Sequence, residues 1–200
     1  MHWHYSRRMP SGKLALIGVW ERGKFIGSVM FGLGANNHMA RAFGLAQTEA
    51  CELVRVALCH HVASVTRIVA IAIRMLQRQS PGLRLIVSYA DPAHDHVGGI
   101  YQAGNWIFDG QQSGQTEYLW HGKQHHGRSI TSGARGSTVG LPKVKVPGKY
   151  RYLMPLDDAM HAQIEPLRKP YPKRAKQATT DVQSACGGAA PTCTLQTTIA

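Results

Sequence analysis

LRLIVSYADPAHDHVGGIYQAGNW, residues 83–106, is the stretch on which the reading of the fold turns. Its first seven residues alternate between two mostly apolar faces, Leu83/Leu85/Val87 and Ile86/Ser88, so they form a strand covered on both sides. Polar side chains then arrive together: Ser88, Tyr89 and Asp91, followed by a Pro turn bearing His94 and His96. Residues 96–104 read as a short helix ended by Gly104. Polar groups gathered at the carboxyl end of a buried strand are where open α/β sheets hold ligands.

Working outward, residues 106–108 start another strand, with Asp109-Gly110 as its turn and 117–120 as its antiparallel partner. Residues 150–156 form a last strand. Upstream, Val65, Ile68, Val69, Ala72 and Leu76 recur at helical spacing over residues 64–79, with Arg67, Arg74 and Arg78 on the opposite face. Ser64 is a natural N-cap there, and free amides beside it favour an anion. Residues 51–58 read as a buried strand that carries Glu52 and Arg55. Strict alternation sets these two charges on opposite faces, and an unpartnered buried charge costs roughly several kcal/mol. Each therefore needs a partner or a cleft. Residues 14–20 and 25–31 pair as a hairpin around Arg22-Gly23. The Gly- and Asn-containing segment 32–47 reads as a loop over a site. The order is that of a mixed α/β (α+β mixed-sheet) domain.

The chain has 200 residues, 44% of them hydrophobic, with a formal net charge of +12. Residues 1–160 suit one domain, and 161–200 read as a basic, then low-complexity, disordered tail. No run of eighteen apolar residues is present, so a membrane-spanning helix is not expected, and the start lacks the apolar centre of a signal peptide. Cysteines at 51, 59, 186 and 193 form no CxxC pair, which argues against zinc or a disulfide framework and for a reducing cytoplasm. The positive charge calls for a polyanion, most simply nucleic acid. Residues 121–146, HGKQHHGRSITSGARGSTVGLPKVKV, mix cations with Gly and Ser like a flexible arm over a phosphate backbone, with Lys123, Arg128 and Arg135 as DNA-binding candidates.

The element order resembles the core of the GNAT acyltransferase fold, although that fold normally opens with a strand and helices that this chain does not supply ahead of its hairpin. In GNAT proteins a Gly-rich Q/RxxGxG/A loop before a helix cradles the pyrophosphate of acyl coenzyme A. Here the place is taken by His60-His61-Val62-Ala63-Ser64-Val65-Thr66-Arg67, without glycine, leaving Ser64, Thr66 and Arg67 as anion-binding candidates.

A narrower resemblance rests on HYS (4–6), GVWERGKFIG, FGLGAN, ELVRVAL, SYAD, IYQAGNW and HGKxxHGRS. Together, over residues 2–155, these motifs resemble the phage Mom DNA-modification family. That resemblance implies a transferase that converts adenine in duplex DNA to N6-methylcarbamoyl (carbamoylmethyl) adenine, shielding phage DNA from restriction in the cytoplasm of a bacterial host. It leaves the donor open, between acyl coenzyme A (acetyl-CoA), inferred from the fold, and chemistry involving iron. Adenine N6 is a poor nucleophile, so the site needs a proton acceptor and groups that polarise the donor. Asp91 is the candidate base or N6 orienter. Tyr101, His4 and Tyr5 are candidates for supplying a proton or stacking on the base. Glu52 and Arg55 would orient the others. Asp91, His94 and His96, or these with His4, form a weak DxxHxH ligand set for iron. The expected partners are double-stranded DNA and no membrane, with a homodimer left open.

Two other functions are compatible with the pattern: a GNAT-type N-acetyltransferase acting on a small molecule or protein, and a non-catalytic basic DNA-binding protein. An adenine N6-methyltransferase is disfavoured, because Asp91-Pro92-Ala93-His94 lacks the second Pro and aromatic of its motif. No GxxxxGK[ST] phosphate loop is present.

Overall fold

The computed structural model describes residues 9–10, 12–34, 38–131 and 136–173, and the backbone of 193–199. Its elements are β1 (Leu14–Glu21), β2 (Lys24–Gly32), β3 (Ala50–Leu58), α1 (Val65–Gln79), β4 (Leu85–Ala90), α2 (Gly99–Ala103), β5 (Ile107–Gln111), β6 (Gln115–Trp120), β7 (Lys123–His126), α3 (Gly127–Thr131), β8 (Lys143–Val146), β9 (Tyr150–Pro155), α4 (Asp158–Ile164) and β10 (Cys193–Ile199). Seven strands form one mixed sheet in the order β10-β1-β2-β3-β4-β9-β5, and β7-β6-β8 form a small second sheet. Every neighbouring pair in the large sheet is antiparallel except β3 and β4.

Two apolar layers enclose that sheet. On one face α1 contributes Ile68, Val69, Ala72, Ile73 and Leu76, packed with Ile17, Phe31, Ile86 and Trp106. This is the amphipathic face legible in the helical spacing, and Arg67, Arg74 and Arg78 are exposed on its other side. On the second face the segment around Met39, Phe43 and Leu45 and the helix α4 cover Leu85, Val87, Ile107 and Leu153. Each aliphatic side chain that is wholly buried, such as Ile68 or Leu85, contributes about 2 kcal/mol of burial free energy.

Four expectations are corrected. First, the strand at 117–120 does not pair with β5. β9 takes that place, between β4 and β5, because Tyr152 and Leu153 are fully buried and suit a central strand. β6, QTEYLW, is too polar for that position and forms the small sheet with β7 and β8. Residues 121–146 are thus partly strand, not simply a flexible arm. Second, Asp109-Gly110 is no turn. Both residues lie inside β5, where the register with β9 shifts between Phe108 and Gly110 and leaves Asp109 as a bulge.

Third, the helix expected over 96–104 is split. Asp91 closes a 3-10 turn at Pro92–His94, and α2 begins only after Gly98. Gly98 has φ of 75°, and a Cβ there would collide with the Tyr152 ring. Fourth, the described residues after 161 are not featureless. Tyr171 Oη donates to Trp106 O at 2.7 Å and Lys169 Nζ to Asp109 O at 3.0 Å, fastening the chain back onto β5. Residues 193–199 then pair with β1 over seven register positions. The Thr and Ile content of CTLQTTI carries strand propensity that the composition of the tail as a whole conceals. β10 thus occupies the sheet position outside β1.

Candidate active site

The parallel pairing of β3 with β4 covers only Ala50↔Leu85 to Glu52↔Val87. Beyond it the strands diverge, and two devices mark the point. The first is a bulge in β3: Met30 pairs with Arg55 but Phe31 with Leu53, leaving Val54 as the extra residue. A bulge reverses the alternation. Cys51 and Leu53 face the α1 layer before it, and Val56 and Leu58 after it. Glu52 and Arg55 therefore share the opposite face, which corrects the expectation that they lie on different sides. The second device is Ser88. Its hydroxyl donates to Leu53 O at 2.8 Å, satisfying a carbonyl that the ladder no longer reaches. Its oxygen, 2.7 Å from Tyr101 Oη, then accepts the Tyr101 proton.

Alternation along β4 sends Leu85, Val87, Tyr89 and Asp91 to one face and Ile86 and Ser88 to the other. Register with β9 adds Leu153 and Arg151 to the first face. That face is apolar toward the start of β4 and polar toward its end. Glu52, Arg55, Tyr89, Asp91 and Arg151 all belong to that face, and Glu52, Arg151 and the bulged Asp109 lie near the Tyr89 phenol. Arg151 Nε donates to Asp109 Oδ2 at 2.6 Å, a second guanidinium nitrogen also bonds that oxygen, and the guanidinium carbon lies 5.5 Å from the centroid of the Phe43 ring. Burial, and then the carboxylate of Glu52, push the Tyr89 phenol above its ordinary range. It stays protonated, as a hydrogen-bond donor. The Cys51 thiol beside Glu52 is pushed up to about 12, chiefly by burial, and is no nucleophile at neutral pH.

Asp91 sits where the sequence placed it, at the end of β4. Its Oδ1 accepts from Ala93 N at 3.0 Å, shaping the turn, and its Oδ2 is 3.9 Å from Lys149 Nζ. Gly34, at φ 75°, lies against Glu52: a Cβ there would sit 2.5 Å from Glu52 Oε2. Tyr101 is on the other side of the sheet, 9% exposed and packed on Trp106 and Tyr152 at ring distances of 5.0 Å. Asp91 and Tyr101 thus belong to opposite faces of the sheet. His4 and Tyr5 lie outside the described residues. Sequence reasoning gives Tyr89 no chemical role and misses Arg151 and Asp109. The available signal is an arginine inside the apolar strand YRYLMP, the same oddity that singles out Arg55.

The start of α1 is the candidate anion site. Ser64 caps it, its Oγ accepting from Arg67 N at 3.3 Å, with Arg67 exposed and Thr66 half-buried. Val62 N and Ala63 N, the amides just before the helix, both donate to the buried carboxylate of Glu21, at 2.8 Å each. The loop has no glycine, two of its amides are taken, and a fixed negative charge stands in it. These residues do not fit the diphosphate of acyl coenzyme A. For iron, no three His, Cys, Asp or Glu side chains converge among the described residues, and the His94 and His96 rings are 6.5 Å apart. The described residues alone do not make up an iron site.

The comparison with known proteins agrees with the motif reading. The Mom protein family matches residues 1–173. The chain belongs to the Mom family. It is 25% identical over 185 residues to "Methylcarbamoylase mom" of Escherichia phage Mu, a match covering 85% of this chain and 76% of that protein. The stretch matched to the Mom family spans Glu52, Tyr89, Asp91, Asp109 and Arg151. Of the DNA-binding candidates, Lys123 is exposed on β7 and Arg128 falls in α3, whereas Arg135 lies outside the described residues. No helix among the described residues is long and apolar enough to cross a membrane.

Proposed function

We propose that this Mom family member is a transferase that converts adenine in duplex DNA to N6-methylcarbamoyl (carbamoylmethyl) adenine, which would protect phage DNA from restriction. The observation that carries the reading is one sheet face, where Glu52, Arg151 and protonated Tyr89 lie near one another and Asp91 follows at the carboxyl end of β4. As a new bond to N6 forms, the transferred group's bond to its donor breaks, the leaving group departs with that electron pair, and the N6 proton must leave; Asp91 is the proton acceptor we assign. Tyr89 and Arg151 supply donors to the polar end of the incoming group, and Glu52 and Arg55 fix their orientation. The target base must leave the stack to reach this face. Tyr101 takes a positioning role, holding the diverging strands through Ser88.

A GNAT-like fold is part of the proposal. In its favour are the mixed sheet, its one parallel pair, the divergence beyond Glu52 and the helix that follows β3. The donor does not enter through the α1 loop, since Glu21 fills it.

The test is to express the chain with plasmid DNA, digest the DNA to nucleosides and measure their masses. The wild-type chain yields an adenosine heavier by the methylcarbamoyl increment. Asp91→Asn loses that product while the soluble yield and circular dichroism stay unchanged. An unmodified adenosine profile from soluble wild-type chain overturns the reading. Full modification by Asp91→Asn removes Asp91 from the role.

A further inference from the structure

The small sheet has two unlike faces. In antiparallel pairs, residues directly opposite one another point the same way. Trp120 pairs with Lys123 and Tyr118 with His125. Tyr118 also pairs with Lys143, and Thr116 with Lys145. One face therefore carries Lys123, Lys143 and Lys145, all exposed, around half-buried Tyr118 and Trp120, with Tyr118 packed against Gly127 at the start of α3. The Trp120 ring lies 4.7 Å from that of His121 and 5.7 Å, edge-on, from that of His125. The opposite face holds Gln115, Glu117, Leu119, Val144 and Val146. Glu117 is the one acidic residue in the sequence between Asp109 and Asp157, and it faces away from the lysines.

The dimensions suit a duplex. Lys143 and Lys145 are two residues apart along β8, about 7 Å, and Lys123 lies two strand spacings away, roughly 10 Å across the sheet. A groove about 12 Å wide is bordered by phosphates on both sides, and lysines on the two outer strands can reach both. The small sheet is also built out of the candidate site. Gln112 N donates to Lys149 O at 2.9 Å and Gln111 Nε2 to Gly148 O at 2.9 Å, so the β5–β9 ladder continues into it. Its stem crosses at Gly114 and Gly148, where a Cβ on Gly148 would collide with Gln112 O. Lys149 and Arg151, at the foot of the stem, are the residues beside Asp91 and Asp109.

We propose that the Lys123/Lys143/Lys145 face of the β7-β6-β8 sheet is the surface that grips duplex DNA and delivers it to the Asp91 end of the large sheet. The assignment rests on the DNA-modifying reading above. The lysines hold phosphates, and the exposed part of Trp120 packs on the groove wall between them.

Duplex binding by the full chain is to be followed by fluorescence anisotropy over a range of salt concentrations. Each lysine–phosphate pair removed should lower the slope of log K against log salt by about 1. Lys143→Gln with Lys145→Gln should lower it by about 2, and adding Lys123→Gln by about 3. Trp120→Ala should weaken binding about tenfold with the slope unchanged. Lys24→Gln, an exposed cation on β2, is the control that should change nothing. Wild-type slope and affinity in the triple lysine variant overturn the proposal, as does an equal loss from Lys24→Gln. Binding to acidic phospholipid vesicles as tight as to duplex overturns it too. Nucleoside masses separate the two readings. Unchanged adenosine together with lysine-dependent binding keeps this surface and removes the reaction. Modified adenosine with binding indifferent to the lysines does the reverse.

Discussion

At the scale of single residues, the two groups that the sequence placed together, Asp91 and Tyr101, differ in what they can do. Tyr101 is buried among aromatic rings with its proton given to Ser88, whose own proton goes to Leu53 O. Removing one partner from a buried hydrogen bond costs more than the bond contributes, because the other partner is left desolvated. Ser88→Ala removes the side-chain donor to the Leu53 carbonyl and one partner of the Tyr101 hydroxyl, and should lower unfolding free energy by about 2 kcal/mol. Tyr101→Phe leaves the Ser88–Leu53 bond in place and should cost about 1 kcal/mol. Urea denaturation checks the order. The same variants report on function. A positioning role leaves Tyr101→Phe making modified nucleoside in proportion to its folded fraction, whereas a Tyr101 proton donor loses product without losing fold.

At the scale of elements, the loop that leads into α1 shows how a familiar position can be put to another use. Glu21, at the end of β1, accepts from the amides of Val62 and Ala63 and ties the β1–β2 hairpin to the helix start. A diphosphate would need those amides and would meet a carboxylate. Calorimetric titration of the chain with coenzyme A should therefore show no binding at millimolar ligand, and Glu21→Gln should lower stability by about 1 kcal/mol without creating coenzyme A affinity. Micromolar binding by the wild type would show that the loop opens and that Glu21 is displaced. Much of this element is legible in the sequence: Ser64 as cap, the inward Ile68, Val69, Ala72 and Leu76, and the outward arginines all follow from helical spacing. The face that Glu52 shares with Arg55 and the placement of Asp109 are not, because each depends on a bulge. A bulge is set by how two strands register, and alternation along one strand carries no trace of it. Lys143 and Lys145 are a third case. KVKV announces an alternating strand, but only pairing with β6 shows that its lysines share a face with Trp120.

For the molecule as a whole, β10 decides how the large sheet ends. Residues 193–199 lie beside β1 and against α1, at the far end of the sheet from the candidate site. Ordering seven residues costs about 1–2 kcal/mol each in backbone entropy, while each ladder bond returns about 1 kcal/mol net. Pairing alone therefore adds little stability. Its larger effect is to cover β1, whose sequence LALIGVWE is otherwise a long, mostly apolar edge open to pairing with a second chain. Deleting residues 193–200 should consequently lower stability, read from the urea midpoint, by no more than about 1–2 kcal/mol. It should, however, convert the chain to concentration-dependent dimers or larger species in light scattering. Nucleoside modification measured at low protein concentration should survive, because the Asp91 cluster lies on the other side of β2. A truncated chain that matches the full chain in both size and stability would mean that β1 is protected by something other than β10. Loss of modification from a monomeric, folded truncated chain would tie the edge strand to the site itself.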